Sequence, residues 1–472
     1  MAQSEEPLSR SQILGLGAMA LAVLVIANDF TALSVALPAI EADLGTDVTT
    51  VQWIITGYAL VFGVLIVTGG RLADMFGRRH VFFVGTTIFA LFSLVGGFAT
   101  DAWMLLAARG LMGVGGALMW PAILGMTYTL TPPGRAALAG ALVLGSAGFG
   151  NAVGPLLGGG LTDALSWRWI FFLNLPIAAL AVLVTWRVVP PAPVDARDQR
   201  IDYGGVTALS IGLFALLLAL DMGVDLGWAD PLILGLFALA AASLLAFARI
   251  ERGAGEDALV PGDVLGNRTF FAASMTTLLM SAIFFAALLY LPQFMTKQLD
   301  YSAMGAGAGL LPMMGTFAIA SFLSGPLYAR LGAKLIVTIG AMCLALGMFL
   351  LSRMELTTTY AELVPGMVVL GVGVGLFYSS ITTVAITALD PSRSSLAGAI
   401  VYMFQIAGGA IGLGLNTALV VSAPSLVDGI RTAFLLDALL AICGVAVAVL
   451  FVGGRVEKER LHALLHRHRA HG

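Results

Sequence analysis

Long apolar stretches with almost no charge recur along the sequence and limit its fold more than any other feature. An apolar α-helix of about 20 residues matches the thickness of the hydrocarbon core of a bilayer. Of the 472 residues, 59% are hydrophobic and 11% are charged, which is too little polar surface for a soluble protein of this length. The sequence therefore predicts a polytopic membrane protein.

The apolar stretches predict helices. They lack the strict alternation of a β-barrel strand, and a backbone that crosses a bilayer has to satisfy its own hydrogen bonds. We expect an all-α fold with fourteen transmembrane helices, at approximately 12–39, 50–70, 81–99, 102–129, 136–162, 167–189, 204–222, 229–250, 269–294, 304–328, 334–352, 361–388, 394–421 and 431–453.

The basic residues indicate how these helices are oriented. If the N-terminus is cytoplasmic, most of the 24 lysines and arginines lie in cytoplasmic segments, as the positive-inside rule requires. Both termini are then cytoplasmic. Residues 1–10 lack the basic region of a signal peptide, so we expect the first helix to be retained. These features predict a multi-pass protein of the plasma membrane.

The connections divide the chain into parts. The longest cytoplasmic connections, 190–203 and 251–268, flank two Leu- and Ala-rich helices. GGRLADMFGRR at 69–79 returns in weaker form as SGPLYARLGAK at 324–334, as in transporters built from paired repeats. We predict a six-helix bundle at 1–190, a linker with two inserted transmembrane helices at 191–268, a six-helix bundle at 269–455 and a basic cytoplasmic tail at 456–472.

Two charged residues lie inside apolar helices. Asp29 lies within the stretch 12–38, and an ionised carboxylate near the centre of a spanning helix costs about 2.5–3.5 kcal/mol. Such an acid usually faces a bundle interior or a wet cavity, so we expect the protein to expose Asp29 alternately to the two sides of the membrane. Arg109 is the one base well inside a predicted helix. It either has a buried carboxylate or carbonyl partner or reaches the interface by snorkelling.

Residues 70–79, GRLADMFGRR, place one acid and several arginines in a tight connection between two helices. Asp74 can cap the start of the following helix or pair with Arg78, and Arg79 adds further positive charge. Gly70 and Gly77 permit the close turn. The alternative is an ordinary basic cytoplasmic loop.

The fifth helix contains a face of small residues. Gly150, Gly154, Gly158 and Gly159 allow another helix to approach closely, and Pro155 bends the helix. Helix packing alone is a sufficient explanation of this pattern.

Several other residues have two interpretations. Asp437, in the last helix, suits a helix-end or gate role at least as well as proton binding. Aromatic, Met and Gln side chains either pack the bundle or line an apolar, adaptable substrate cavity. The candidate cavity residues are Trp53, Tyr58, Phe285, Met313, Tyr378, Tyr402 and Gln405.

Residues 70–79 match the pattern G-x-L-A-D-x-x-G-R-[KR], and in this the chain resembles the major facilitator superfamily. The resemblance implies a major facilitator fold, here with helices arranged as six, two and six. It also implies that the loop is a cytoplasmic latch between the bundles, with Asp74, Arg78 and Arg79 at the matching positions. The fourth helix is similar too, although Met112 stands where the family usually has Gln.

Other segments resemble the fourteen-helix drug:proton antiporter branch of that family. They are NDFTALSVALP at 28–38, QWIITGYAL at 52–60, WRWIFFLNLPI at 167–177 and YLPQF at 290–294. In this branch the acid of the first helix is a proton or cation site, which implies that role for Asp29. We expect Arg109 to take part in proton or cation coupling as well. The pattern G-x-x-x-G-P-x-x-G-G at 150–159 is associated with exporters.

The sequence excludes several functions. Each of the lysines is followed by Gln, Leu or Glu, so the chain has no phosphate-binding loop of an ATP-driven pump, and it has no HExxH or GxSxG motif of a hydrolase. A channel is conceivable but is not favoured. We therefore expect a non-enzymatic, proton-coupled exporter of hydrophobic or cationic drugs or toxic compounds. The alternative is an exporter of an endogenous lipid or amphiphilic metabolite.

The expected partners follow from this function. They are a small-molecule substrate, protons and the lipid bilayer. We expect no cofactor, metal or nucleic acid, and a monomer.

Overall fold

The computed structural model of the protein describes residues 8–46, 48–132, 135–191, 202–254 and 258–451. Within these ranges fourteen helical segments are long and apolar enough to cross a membrane, as the sequence predicts. The predicted basic tail at 456–472 lies outside the described residues. The helices are α1 (Arg10–Leu44), α2 (Val48–Phe76), α3 (Arg78–Gly97), α4 (Ala102–Leu130), α5 (Ala136–Ala164), α6 (Arg168–Val188), α7 (Tyr203–Leu226), α8 (Pro231–Ala254), α9 (Gly262–Gly266), α10 (Arg268–Lys297), α11 (Ala303–Gly309), α12 (Leu311–Leu331), α13 (Ala333–Leu351), α14 (Tyr360–Thr387), α15 (Ser394–Ser422) and α16 (Leu426–Phe451).

Local sequence explains where several helices begin and end. The Ser9 hydroxyl accepts a hydrogen bond from the backbone of Gln12, whose side chain accepts one from Ser9, so the two residues form a capping box at the start of α1. Gly45 ends α1 in the left-handed region, with φ 59°. Asp101 caps α4 by accepting a hydrogen bond from the backbone of Met104. These caps place polar residues at the ends of otherwise apolar helices.

The tenth predicted span is the one that the structure divides. The short helix α11 stops at Gly309, and α12 begins again at Leu311 with Pro312 in its first turn. Proline has no backbone N–H to donate into the preceding turn, so a continuous helix cannot form across this position without losing a hydrogen bond. The long connection before α10 also contains the short helix α9, which the sequence pattern did not indicate.

Helices α1–α6 form one bundle, and α10 with α12–α16 form a second. The two are built by equivalent contacts between glycines and neighbouring backbones. Gly115 of α4 lies against Gly85 of α3, as Gly373 of α14 lies against Gly340 of α13. Glycine allows two helices to approach this closely because it has no Cβ. The weak repeat in the sequence is therefore matched by a repeated packing arrangement.

The two inserted helices differ in their positions. Among the described helices, α8 packs mainly on α7, whereas α7 packs on α8 and also on α2 and α15, one from each bundle. Leu217 of α7 lies close to Gly63 of α2, which also faces Ile406 of α15. The pair is thus outside the two bundles, but α7 bridges them along one side.

Candidate functional site

Asp29 lies in the middle of α1 and is completely buried. Its Oδ2 accepts a hydrogen bond from Nη1 of Arg109 at 2.5 Å. Its Oδ1 accepts a second from Nδ2 of Asn174 at 2.9 Å. The acid of the first helix therefore belongs to an ion pair that is closed to solvent in this structure.

Arg109 projects from α4 toward α1 and α2. Its side chain is 0% exposed, so the snorkelling alternative is wrong. Besides Asp29, its Nε donates to the carbonyl oxygen of Ile54 at 3.1 Å, and its guanidinium lies 4.3 Å from the centre of the Tyr58 ring. A buried pair broken by removal of one partner typically costs about 3–5 kcal/mol, because the other charge is left uncompensated. The pair is stable only while both charges are present.

The amide of Asn174 supports the pair from α6, and sequence reasoning assigned it no role. Its Nδ2 donates both to Asp29 and to the hydroxyl of Ser93, the latter at 3.1 Å. Ser93 of α3 in turn donates to the carbonyl oxygen of Phe171 at 2.8 Å. The signal available in the sequence was a single amide within the apolar segment WRWIFFLNLPI. Five helices thus contribute to the charged site.

An aromatic cluster connects this charged site to the second bundle. We define it as Tyr58, Phe62, Trp120 and Tyr402, of which Tyr402 alone comes from the second bundle. The ring centres of Tyr58 and Phe62 are 5.9 Å apart, and those of Phe62 and Tyr402 are 5.7 Å apart. Trp120 lies 4.7 Å from Tyr402, and its buried indole N–H has no hydrogen-bond partner among the described residues.

The remaining candidate cavity residues are divided among other positions. Phe285 and Tyr378 both contact the ring of Phe284, at 5.7 and 6.2 Å between ring centres. Met313 is buried in the second bundle next to the Gly371 backbone. Trp53 and Gln405 are half-buried. Within the described ranges the Trp53 ring makes no ring contact with the aromatic cluster.

Asp74 joins the two bundles at the end of the molecule that carries residues 70–79, here called the loop end. It pairs with Arg78 at 3.0 Å, one of the two contacts expected from the sequence. The expected cap of the following helix is wrong, since α3 has Gly77 at its N-cap and no side-chain cap. Asp74 instead accepts hydrogen bonds from the backbone N–H groups of Ser395 and Leu396, at 3.3 and 2.8 Å. It therefore caps α15 in the opposite bundle, where its charge complements the positive end of the helix dipole.

The two arginines of residues 70–79 have different partners. Arg78 donates to the carbonyl oxygen of Pro391, in the turn before α15, at 2.6 Å. Arg79 stays within its own bundle and donates to the carbonyl oxygens of Trp186, in the last turn of α6, and of Val189, the residue that follows α6. Arg78 thus connects the bundles, and Arg79 caps a helix.

The two glycines of residues 70–79 permit backbone arrangements that a side chain would prevent. Gly70 lies so close to α15 that a Cβ would be 2.6 Å from the Cβ of Ala399. Gly77 has φ 94°, a conformation that side chains rarely adopt. Both positions depend on the missing side chain, one for the approach of α15 and the other for the turn.

Three of the four glycines in the 150–159 pattern of α5 face α1, the helix that carries Asp29. A Cβ at Gly150 would be 3.0 Å from the Cβ of Ala27, and one at Gly158 would overlap the backbone of Ala32. Gly154 faces Thr31 in the same groove, while Gly159 faces Met304 of α11. Pro155 lies inside α5 between these contacts.

The amino-acid sequence is similar to a known family of membrane proteins and to several of its members. The family model described as Major Facilitator Superfamily matches residues 19–389 and 273–468. The chain is 35% identical over 406 residues to the puromycin resistance protein pur8 of Streptomyces alboniger, a match that covers 85% of this chain and 80% of that protein. It is 31% identical over 420 residues to the multidrug transporter protein MdtP of Bacillus subtilis, covering 88% and 76%.

A solved structure supports the same fold. The human organic anion transporter MFSD10 aligns with a TM-score of 0.66 at 13% sequence identity, covering 94% of this chain and all of that one. At this identity the likeness concerns the fold alone. With fourteen membrane-spanning segments and relatives named for drug resistance and multidrug transport, the chain is a multi-pass membrane transporter that belongs to the major facilitator superfamily.

Proposed function

We propose that this transporter is a proton-coupled exporter of hydrophobic or cationic compounds. The observation that carries the proposal is the buried Asp29–Arg109 pair, which touches an aromatic cluster between the two bundles. Aromatic faces attract flat apolar molecules and organic cations. The names of the relatives, which refer to puromycin resistance and multidrug transport, support the same class of substrate.

Protonation of Asp29 would change the balance between conformations. The neutral acid no longer compensates Arg109, which stays charged because guanidinium is not deprotonated in proteins. At about 3–5 kcal/mol for a pair broken on one side, the closed arrangement becomes unfavourable. A conformation in which Arg109 reaches water or another partner is then favoured, and only such a difference between states can couple proton binding to movement.

The aromatic cluster gives this movement a route to the substrate. Arg109 lies on the face of Tyr58, and the rings of Phe62 and Tyr402 continue the contact into the second bundle. A displacement of Arg109 alters the position of Tyr58 and hence the shape of the site between the bundles. A proton and a substrate then favour different arrangements of the same residues.

The bonds of Asp74 and Arg78 across the bundles support the role of a latch for residues 70–79, and the distribution of basic residues supports a cytoplasmic position of this loop end. The structure then corresponds to a state whose cytoplasmic side is held closed. We further propose a plasma-membrane monomer with both termini cytoplasmic, whose parts are residues 1–190, 191–268, 269–455 and 456–472.

Proton coupling at Asp29 can be tested with purified protein in liposomes. An acidic interior should drive accumulation of tetraphenylphosphonium, a lipophilic cation, by the parent protein. Asp29→Asn removes the titrating group and keeps the shape, so this gradient-driven uptake should be lost while binding of the cation is retained. Asp43→Asn is the matched control on the same helix, because Asp43 is more exposed and pairs with Arg168.

Two outcomes would contradict the proposal. Uptake by Asp29→Asn at the parent rate would show that Asp29 is not the coupling site. Failure of the parent protein to accumulate any of a panel of lipophilic cations and neutral hydrophobic compounds would reject the proposed substrate class.

A further inference from the structure

A second acid is buried in the transmembrane region, in the bundle opposite to Asp29. Asp437 of α16 is 0% exposed. Its Oδ2 accepts a hydrogen bond from Nδ2 of Asn416 at 2.8 Å, and its Oδ1 has no hydrogen-bond partner within the described ranges. None of the described lysines, arginines or histidines forms an ion pair with it. Unlike Asp29, this carboxyl group has no positive charge beside it.

The internal repeat relates Asp437 to a residue of the charged site. The segment RWIFFLN at 168–174 and the segment RTAFLLD at 431–437 share Arg, Phe and Leu at the same spacings. The shared phenylalanines, Phe171 and Phe434, are both fully buried. Asp437 therefore stands on α16 where Asn174, the amide that binds Asp29, stands on α6.

The repeat also shows that the second bundle has no arginine at the position equivalent to Arg109. Gly113 of α4 lies against the backbone of α2, and Gly371 of α14 lies against the backbone of α12 in the same way. Arg109 precedes the first glycine by one helical turn, and the residue at the same distance before the second is Met367, which is buried. The second bundle thus has an acid in the equivalent region without the cation that compensates Asp29.

The groups around Asp437 come from the helices that pack on α16, namely α10, α13 and α15. The titratable group that faces it is Tyr290 of α10. The phenolic oxygen of Tyr290 lies 2.5 Å from the hydroxyl of Thr417, the residue after Asn416 on α15. The described residues of α13 place no charged group against it. Tyr290 and Thr417 lie toward the ends of α10 and α15 that are remote from the loop end.

We infer that Asp437 is a second proton-binding site of this transporter. A charged carboxylate that is buried without a cation is unfavourable, so the proton is the compensating charge. The contact with Asn416 suits both forms of the acid. A charged Asp437 accepts from the amide N–H, and after rotation of the amide a neutral Asp437 donates to the amide oxygen at the same separation of heavy atoms.

Within the described ranges, the oxygens without a hydrogen-bond partner at this site are Oδ1 of Asp437 and Oδ1 of Asn416. Two oxygens are too few to replace the shell of ligands around a metal cation, so the proton is the ligand that matches this site. Tyr290 and Thr417 provide hydroxyl groups on the side remote from the loop end, where such a proton enters or leaves. This inference rests on the proposed proton coupling at Asp29. With one proton site in each bundle, two protons are exchanged for each substrate cation.

The stoichiometry can be measured in liposomes in which a potassium ionophore holds the membrane potential at zero. For an exchange of two protons, the logarithm of the tetraphenylphosphonium accumulation ratio rises with the pH difference with a slope of two. Asp437→Asn should lower this slope to one. Asp428→Asn, an exposed acid on the same helix that bonds to Ser425, should leave the slope unchanged.

A second measurement detects the proton directly. Infrared difference spectra of the protein in lipid, recorded as the pH is changed, should contain a carboxylic acid carbonyl band that Asp437→Asn removes and Asp428→Asn keeps. If the Asn variant is not monodisperse, Asp437→Glu retains a titrating acid and should shift the band rather than abolish it. Absence of a titrating band in the Glu variant would overturn the inference.

The outcomes separate this inference from the proposed function. If Asp29→Asn abolishes coupling while Asp437→Asn keeps the parent slope and the parent spectrum, the second site alone is refuted. If Asp29→Asn keeps the parent slope of two, the proposed coupling at Asp29 is refuted. In that case the infrared band still decides whether Asp437 binds a proton, because its measurement requires no substrate.

Discussion

Replacing Asp74 by alanine should release the loop end of the molecule. The carboxylate accepts two backbone N–H groups at the start of α15 and one hydrogen bond from Arg78. Hydrogen bonds to a charged group contribute about 1.5–3 kcal/mol, and a charge at a helix N-terminus adds about 0.3–1 kcal/mol. Only the two backbone bonds join different bundles, and that of Ser395 is long at 3.3 Å. Counting one full bond and the helix-dipole contribution, we expect a loss of about 2–4 kcal/mol, which moves the closed-to-open ratio by about 30- to 900-fold.

The population shift can be observed as distances between spin labels. Labels at His80, at the start of α3, and at Arg330, at the end of α12, report the separation of the bundles at the loop end. The free cysteines Cys343 and Cys443 are first replaced by serine. In the parent protein we expect a short distance to dominate, and in Asp74→Ala a longer one to become prominent.

A matched control lies at the same end of the molecule. Arg393 hydrogen-bonds Asp263 and holds the pKa of that carboxyl below its usual value, so the pair is intact at neutral pH. Both residues are partly exposed and belong to the second half of the chain, so Asp263→Asn should cost no more than about 1 kcal/mol and leave the distances unchanged. Identical distance distributions in Asp74→Ala and the parent would refute the reasoning, because the bonds of Asp74 would then not hold the bundles together.

Three further predictions test packing and the charged site. Gly158→Ala should lower the free energy of unfolding by about 1–3 kcal/mol because its Cβ would overlap the α1 backbone. Gly160→Ala, with open space at its Cβ, should be neutral or stabilising. Equal melting temperatures of the two variants would contradict this prediction. Tyr58→Phe should keep most gradient-driven uptake because it retains the aromatic face under Arg109, and Tyr58→Leu should lose this uptake. Equal uptake by the two variants would show that the ring is not needed for coupling. Replacing residues 204–250 with a flexible cytoplasmic linker should preserve part of the uptake but reduce stability, because α7 packs on both bundles. A folded, monodisperse product that neither binds nor transports the substrate would mean that α7 or α8 forms part of the substrate pathway.

Sequence alone predicted the number and positions of the transmembrane helices. The reason is that the bilayer imposes one length and one composition on every spanning segment, so each segment can be recognised without knowing its neighbours. The division of the tenth span into α11 and α12 was missed although Pro312 marks it, since a proline is also compatible with a continuous, kinked helix.

The partners of the charged residues required the tertiary structure. Asp29 and Arg109 were both singled out because charge is costly in a membrane, yet nothing in a separation of 80 residues shows that they touch or that Asn174 joins them. For Asp74 the sequence offered a cap of the next helix or a pair with Arg78. It makes that pair, but the helix it caps is α15, which begins more than 300 residues later. Burial energy can be assigned to one residue from its own chemistry, whereas a hydrogen bond depends on the relative positions of two helices, and those are determined by the packing of the whole bundle.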